Sequence, residues 1–378
     1  VSLSLEERRT FRSSVDGLLS ARASIAEGRH LASTEHGFDD GLWRAMAELG
    51  WTALLLPVEL GGVGTGMAEV RVVLESLGER LVPGPFMSSA VLATGALVDA
   101  EASADVTSWL DRLGDGSAIA TLALPLIPTL GDSCLWPEAR LAPGGWALSG
   151  SVPEVLHADV ADLIIVFARG AGDEDDLVFA LDRKAIPHHM DSFPLVDQTR
   201  RMQTVRFAES FVPEQMTLAR GAAARELLRR ADLRAAFACA ADSLGGARAV
   251  HAMAVAYAQE RVQFGRPIGS FQAIKHKLAS MYVDLVSSDD AVYEAAEQDD
   301  LDSPGAIRLL RSAAYHALEA YPRIAGDAIQ VHGGIGFTWE HDAHRYFKRA
   351  WVNRALFAGS ERLRDAVAAE LFSAPVGA

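Results

Sequence analysis

Apolar positions in the first third of the chain recur every three to four residues. LSLEERRTFRSSVDGLLSARASIA (Leu3–Ala26), DDGLWRAMAELG (Asp39–Gly50) and MAEVRVVLESLGERL (Met67–Leu81) each place them on one face of a helix. LLLPVELGGVGTG (Leu54–Gly66) breaks the pattern with Pro57 and a run of glycines. That run does not fit G-x-G-x-x-G, and no strand–turn–helix unit surrounds it, so a dinucleotide fold is not indicated.

The texture changes near Ala118. IATLALPLI, WALSGSV, DLIIVFA, DLVFALD and QTVRFAES are short β-prone runs separated by Gly-, Pro- and Asp-rich turns. They predict a small antiparallel β domain that ends near VPEQMTLA. From Ala222 the pattern is helical again, over about Ala222–Gln259, Phe271–Gln298, Pro304–His332 and Ser360–Phe372. Long helices with short links predict a bundle. The fold class is therefore α+β: an N-terminal helical domain (1–117), a middle β domain (118–221) and a C-terminal four-helix bundle (222–378).

Composition narrows the classes. A length of 378 residues calls for two or three domains, and 49% apolar with 22% charged residues is globular. The formal charge of −15 argues against nucleic acid as a partner. Cys134 and Cys239 make neither a disulfide framework nor a cysteine zinc site, which points to a reducing cytoplasm. The N-terminal residues lack a signal-peptide core, and runs such as Val160–Ala168 are too short to span a bilayer.

Two stretches interrupt good helices and could carry chemistry. ERVQFGRPIGSFQAIKHKLASM (Glu260–Met281) gathers Arg261, Arg266 and Lys275 around a Gly-Pro break that starts the next helix. A helix N-terminus, freed backbone and an arginine suit a phosphate or pyrophosphate, and Phe264 suits an aromatic ring. A bundle corner with a solvated charge cluster explains the same residues. IQVHGGIGFTWEHDAHRYFKRA (Ile329–Ala350) offers open backbone at Gly333 and Gly334. Its histidines 332, 341 and 344 lack the carboxylate or cysteine companions of a metal site, so no metal is expected. Near the C-terminus, Ala358-Gly359-Ser360 opens a helix with Ser360 as a candidate N-cap and Glu361 in the first turn.

These two stretches, with LWRAMAELGWTALLLPVELGGVG (Leu42–Gly64) upstream, closely resemble the acyl-CoA dehydrogenase family in order and spacing. The resemblance covers nearly the whole chain, and the helix–barrel–helix order agrees with it. It implies an FAD enzyme that oxidises an acyl-CoA thioester across Cα–Cβ, a carboxylate taking the α-proton and the flavin the β-hydride. It also implies that FAD lies across a subunit interface, with Arg261, Phe264 and Gln272 reaching the ADP half of a neighbour's flavin, joined by Gln330, Gly333 and Gly334.

Departures from the family shape the expectation. The family's usual base is the Glu of a Glu-Gly-Thr/Ser turn, and Ala358 stands there. Some members carry the base on the long helix, at the position of Ala235. Asp232, one turn earlier and about 4.5 Å along the axis, is a fallback base only if packing shifts. In the β domain, ALPLIPTLGDSCLWPEARL and GSVPEVLHADVAD lack most polar groups that the family uses for the flavin ring.

An intact ADP-contacting half beside an eroded flavin-ring half resembles the auxiliary subunit of heteromeric actinobacterial acyl-CoA dehydrogenases. The expected partner is a homologous catalytic subunit in an α2β2 assembly, acting on an acyl-CoA such as a sterol side-chain thioester. The alternatives are a self-sufficient homo-oligomer with a displaced base, and a non-redox scaffold or acyl-thioester-binding protein.

Overall fold

The computed structural model describes residues 3–100, 104–124, 136–172, 175–186, 188–298, 301–356 and 359–373. Helices α1 (Leu5–Arg22), α2 (Ile25–Leu31), α3 (Asp40–Glu48), α4 (Met67–Glu79), α5 (Thr94–Asp99) and α6 (Ala104–Gly114) come first. Strands β1 (Ala120–Ala123), β2 (Glu138–Ala142), β3 (Gly145–Leu156) and β4 (Leu163–Gly170) follow. Then come β5 (Leu177–Asp182), β6 (His189–Ser192), β7 (Met202–Pro213) and β8 (Thr217–Arg220). The rest is α7 (Gly221–Glu260), the short strands β9 (Val262–Gln263) and β10 (Arg266–Pro267), and α8 (Gln272–Ala296), α9 (Pro304–His332), α10 (Ala343–Ala355) and α11 (Gly359–Ser373).

The chain divides into two compact units. One comprises Val1–Ser4, Arg29–Val70 and Pro83–Ala235; the other comprises Leu5–Gly28, Arg71–Val82 and Ala236–Ala378.

The first unit is built on a sheet whose hydrogen-bonded order is β6-β7-β3-β2-β4-β5-β8, with β1 also on β4. It is mixed, where a purely antiparallel domain was expected. β1 and β2 both run parallel to β4, β1 along Leu163–Val166 and β2 at Arg169–Gly170. The residues of β4 explain this: LIIVFARG is buried at all but one position, as parallel strands covered on both faces are. Trp146, Leu148, Val152, Val166, Phe179 and Val205 fill the core. A wholly buried π-helical segment, Met87–Ala93, abuts it. Its Ser89 hydroxyl accepts from the Ala120 amide at 3.0 Å, giving the start of β1 a partner inside the core.

In the second unit α9 is central, with α8, α10 and α11 packed on it. Its inward face is largely alanine (313, 314, 317, 320, 325 and 328), which lets the neighbours come close. α10 is a fifth helix beyond the four expected. It buries Arg349 and Asn353, which donate to Asp242 at 3.0 and 2.6 Å. α4 crosses α7 backbone to backbone. A Cβ at Gly245 would lie 1.8 Å from the Glu75 carbonyl oxygen, and one at Gly78 would lie 2.1 Å from that of Asp242. Beside the crossing the fully buried Glu75 is ion-paired with Arg12 (2.8 Å), Arg71 (3.1 Å) and Arg248 (3.3 Å). A lone carboxylate there would carry an uncompensated desolvation cost.

Candidate functional site

The α7–α8 corner is a tight hairpin. The Arg261 amide donates to the Tyr257 carbonyl at 2.8 Å, and Ile268 donates to the Arg261 carbonyl at 2.8 Å. β9 pairs antiparallel with β10, Gln263 opposite Arg266. The two tip residues, Phe264 and Gly265, have φ of 53° and 78°. Two positive φ values define a type I′ turn, which suits glycine and strains phenylalanine. The strain goes with display: Phe264 is 92% exposed, its ring edge-on to Phe271 with centroids 6.1 Å apart. The Arg266 guanidinium lies 4.1 Å over Phe271. Gln272 starts α8 with its side chain exposed.

The second corner follows α9. Gly333 turns the chain with φ 66°, ψ −144°. A Cβ at Gly333 or Gly334 would meet nothing within 4 Å, so the chain's own packing leaves that space open. Gln330 is exposed one turn earlier. The His332 ring donates through Nδ1 to the Ala328 carbonyl at 2.7 Å and lies between Tyr257, at 4.6 Å, and His341, at 4.2 Å. His341 Nδ1 in turn accepts the Ala343 amide at 3.1 Å. Burial holds both imidazoles below the ordinary 6.5, and His332 is lowered further by His341. Among the described residues no group of three or more His, Cys, Asp or Glu could hold a metal ion.

The Tyr257–His332 stack brings the two corners together, since Tyr257 lies one turn before Arg261 and His332 directly precedes Gly333. The side chains of Arg261, Gln272 and Gln330 have no hydrogen-bond or ion-pair partner among the described residues. The arrangement is an exposed phenyl ring, a guanidinium, two carboxamides and bare backbone. Such groups suit an aromatic base and a pyrophosphate.

The base positions look different. Ala358 lies outside the described residues, as does most of the Ala123–Leu141 stretch that was read for flavin-ring contacts. Ser360 is not the N-cap the sequence suggested. α11 begins at Gly359, and the buried Ser360 hydroxyl donates to Glu319 Oε1 at 2.5 Å. Arg354 Nε donates to the same oxygen at 2.7 Å. Burial opposes ionisation of Glu319, yet these two donors hold its carboxyl below the ordinary range. On α7, Ala235 is fully buried and Asp232 is half-buried. GSVPEVLHADVAD is described: Val152 and Val155 belong to the core, Leu156 is buried, and burial raises the Glu154 carboxyl.

Sequence reading missed a charged cavity of about 690 Å³ in the first unit, lined by Asp99, Glu214, Arg220, Glu226, Leu227 and Arg230 among others. Arg230 bridges Glu226 (2.8 Å) and Asp99 (3.5 Å). Asp99 also takes both terminal nitrogens of Arg234. Hydrogen bonding from Arg229 and then Arg230 outweighs desolvation and holds Glu226 at about 2. No local pattern announces a pair 135 positions apart.

Comparison with known proteins settles the family. Residues 5–116 match the acyl-CoA dehydrogenase N-terminal domain, and residues 233–372 match the C-terminal domain. The chain belongs to the acyl-CoA dehydrogenase family. The chain is 33% identical to the acyl-CoA dehydrogenase IpdE2 of Mycolicibacterium smegmatis, over 97% of its length and 99% of the relative's. It is 31% identical to IpdE2 of Mycobacterium tuberculosis, over 98% and 99%. Among solved structures it resembles a chain of the ChsE4-ChsE5 complex from Mycobacterium tuberculosis, with TM-score 0.89, 27% identity and 99% of both chains covered. The Tcur3481-Tcur3483 steroid ACAD aligns at TM-score 0.86 and 25% identity, over 98% and 99%. Other proteins of this fold are solved with FAD or FADH2. Among the described residues no helix is long and apolar enough to cross a membrane.

Proposed function

We propose that this chain is the auxiliary subunit of a heteromeric, FAD-dependent acyl-CoA dehydrogenase. In this reading Arg261 meets the pyrophosphate of FAD, and Phe264 covers the adenine. Gln272, Gln330 and the open backbone at Gly333–Gly334 complete the contacts to the ADP half. FAD, where bound, would supply the acceptor for the hydride that leaves the acyl Cβ. A homologous catalytic subunit supplies the carboxylate that takes the α-proton, because alanine occupies both usual base positions here, 358 and 235.

One observation carries the reading: a strained, 92% exposed Phe264 stands beside uncommitted polar groups, while no carboxylate is present where the chemistry needs one. A displayed αL phenylalanine is unfavourable for this chain alone and useful only against something it covers. Similarity to the ChsE4-ChsE5 complex supports a heteromeric partner, and similarity to a steroid ACAD supports a sterol-derived acyl-CoA as substrate; the assembly proposed is α2β2 and its place the cytoplasm.

The test is the visible spectrum of the chain purified alone and co-expressed with its homologous partner. The chain alone should be colourless and inactive on acyl-CoA thioesters, and the complex should be yellow and active. Bound flavin with turnover by the chain alone would refute the assignment.

A further inference from the structure

Three rings join the two corners of the candidate site, and two of them are imidazoles. Tyr257 stands on α7 one turn before Arg261, and His332 ends α9 directly before Gly333. The His332 ring lies 4.6 Å from Tyr257 and 4.2 Å from His341, centroid to centroid. The turn that follows α9, Gly333–Phe337, rests on the same residue. A Cβ at Gly336 would come within 3.1 Å of the His332 Cβ, so this backbone cannot keep its place if His332 shifts toward it.

The hydrogen bonds of both imidazoles suit the neutral form. His332 Nδ1 donates to the Ala328 carbonyl, so in the neutral ring Nε2 carries the lone pair. His332 is 4% exposed, and its Nε2 is buried with no hydrogen-bond partner among the described residues. A proton there would make a charged, buried donor without an acceptor. His341 Nδ1 accepts the Ala343 amide, and a proton on that nitrogen would set two donors face to face. Of the groups packed on the pair, Tyr257 of α7 brings a phenol and no carboxylate. Asp342, ahead of α10, favours a charged His341, and burial outweighs it. A charged His341 in turn disfavours a charge on His332.

We propose that Tyr257, His332 and His341 form a proton-sensitive clasp on the ADP half of FAD. With both imidazoles neutral the stack holds the two corners in register. A proton on either ring parts the stack, and the cofactor is released. The clasp rests on the cofactor contacts proposed above, and it makes His332 and His341 positioning residues. They act through the backbone of Gly333 and Gly334 on one side and, by way of Tyr257, through Arg261 on the other. Release belongs to mildly acid conditions, since burial holds both rings below the ordinary 6.5.

The experiment is the dissociation constant of FAD from the complex of this chain with its homologous partner, read by flavin fluorescence from pH 8 to pH 5. It should be level down to pH 6.5 and then rise, by up to about tenfold per pH unit for one proton taken up. His332→Phe and His341→Phe each keep a ring in the stack and remove one site for a proton. The ratio of the constants at pH 5 and pH 7.5 should be at least about threefold smaller in each variant than in wild type. A level wild-type profile would overturn the proposal. So would a rise as steep in either folded variant as in wild type. Flavin binding that needs Arg261 but ignores pH would sink the clasp and leave the cofactor reading standing. Binding untouched by Arg261→Ala would overturn that reading and the clasp with it.

Discussion

Ser360 donates its hydroxyl to Glu319 at 2.5 Å, and Arg354 donates to the same carboxylate oxygen at 2.7 Å. The helix that follows Ala358-Gly359 is thus tied to α9 by a buried, charge-assisted bond. Ala358, which precedes this helix in the sequence, brings no carboxylate.

Ser360→Ala should cost about 1 kcal/mol, the net worth of one hydrogen bond. The sign with pH follows from Glu319, whose carboxyl is lowered in the folded state from 4.5. Its contribution is present above pH 4.5 and lost as pH falls through the folded value. The gap between wild type and Ser360→Ala should therefore be full near neutrality and close in acid. Urea unfolding at several pH values measures it, and a gap independent of pH would contradict the account.

The His332–His341 pair predicts a second, separate pH dependence. Both imidazoles lie below 6.5 in the folded protein, so the unfolded chain takes up protons first as pH falls. Their contribution is complete above pH 6.5 and declines as pH falls from there through the folded values. His341→Asn keeps an acceptor for the Ala343 amide and removes one titrating ring. Its melting temperature should fall less between pH 7 and 5.5 than that of wild type. An identical slope would contradict the role given to the stack.

The Asp99 side chain is 9% exposed and faces Arg234 and Arg230. Asp99→Ala leaves two guanidinium groups short of a partner and should cost about 3–5 kcal/mol in urea unfolding. Asp99→Leu with Arg234→Met removes both ends of the tighter pair and should cost clearly less.

Phe264 separates stability from function. Phe264→Gly loses an edge contact with Phe271 but relieves a positive φ, so stability should change by less than about 0.5 kcal/mol. Flavin content of the assembled complex should fall. A large loss of stability would show that the ring serves the chain's own packing.

What the sequence disclosed follows from how local each signal is. Pro304–His332 was predicted to the residue, because a proline starts it and a glycine pair ends it. The α7–α8 break was legible as a corner for the same reason. The parallel pairing of β1 and β2 with β4 was not, since strand order depends on partners far along the chain. Helix α10 was not legible, since HDAH, where it begins, also has the spacing of a metal-ligand pair. Ser360 resembled an N-cap because capping propensity is local, whereas its partner Glu319 lies 41 positions away. Of the candidate site, residue types and exposure were readable. The Tyr257–His332 stack that gathers them was not.

The central claim is that this chain lends Arg261 to a flavin whose chemistry belongs to its partner. The direct measurement is the flavin absorbance per complex, wild type against Arg261→Ala, at equal protein concentration. The account predicts a marked loss of bound flavin in a complex that still assembles, because a charge-assisted contact to pyrophosphate is removed. Unchanged flavin content in the Arg261→Ala complex would contradict it.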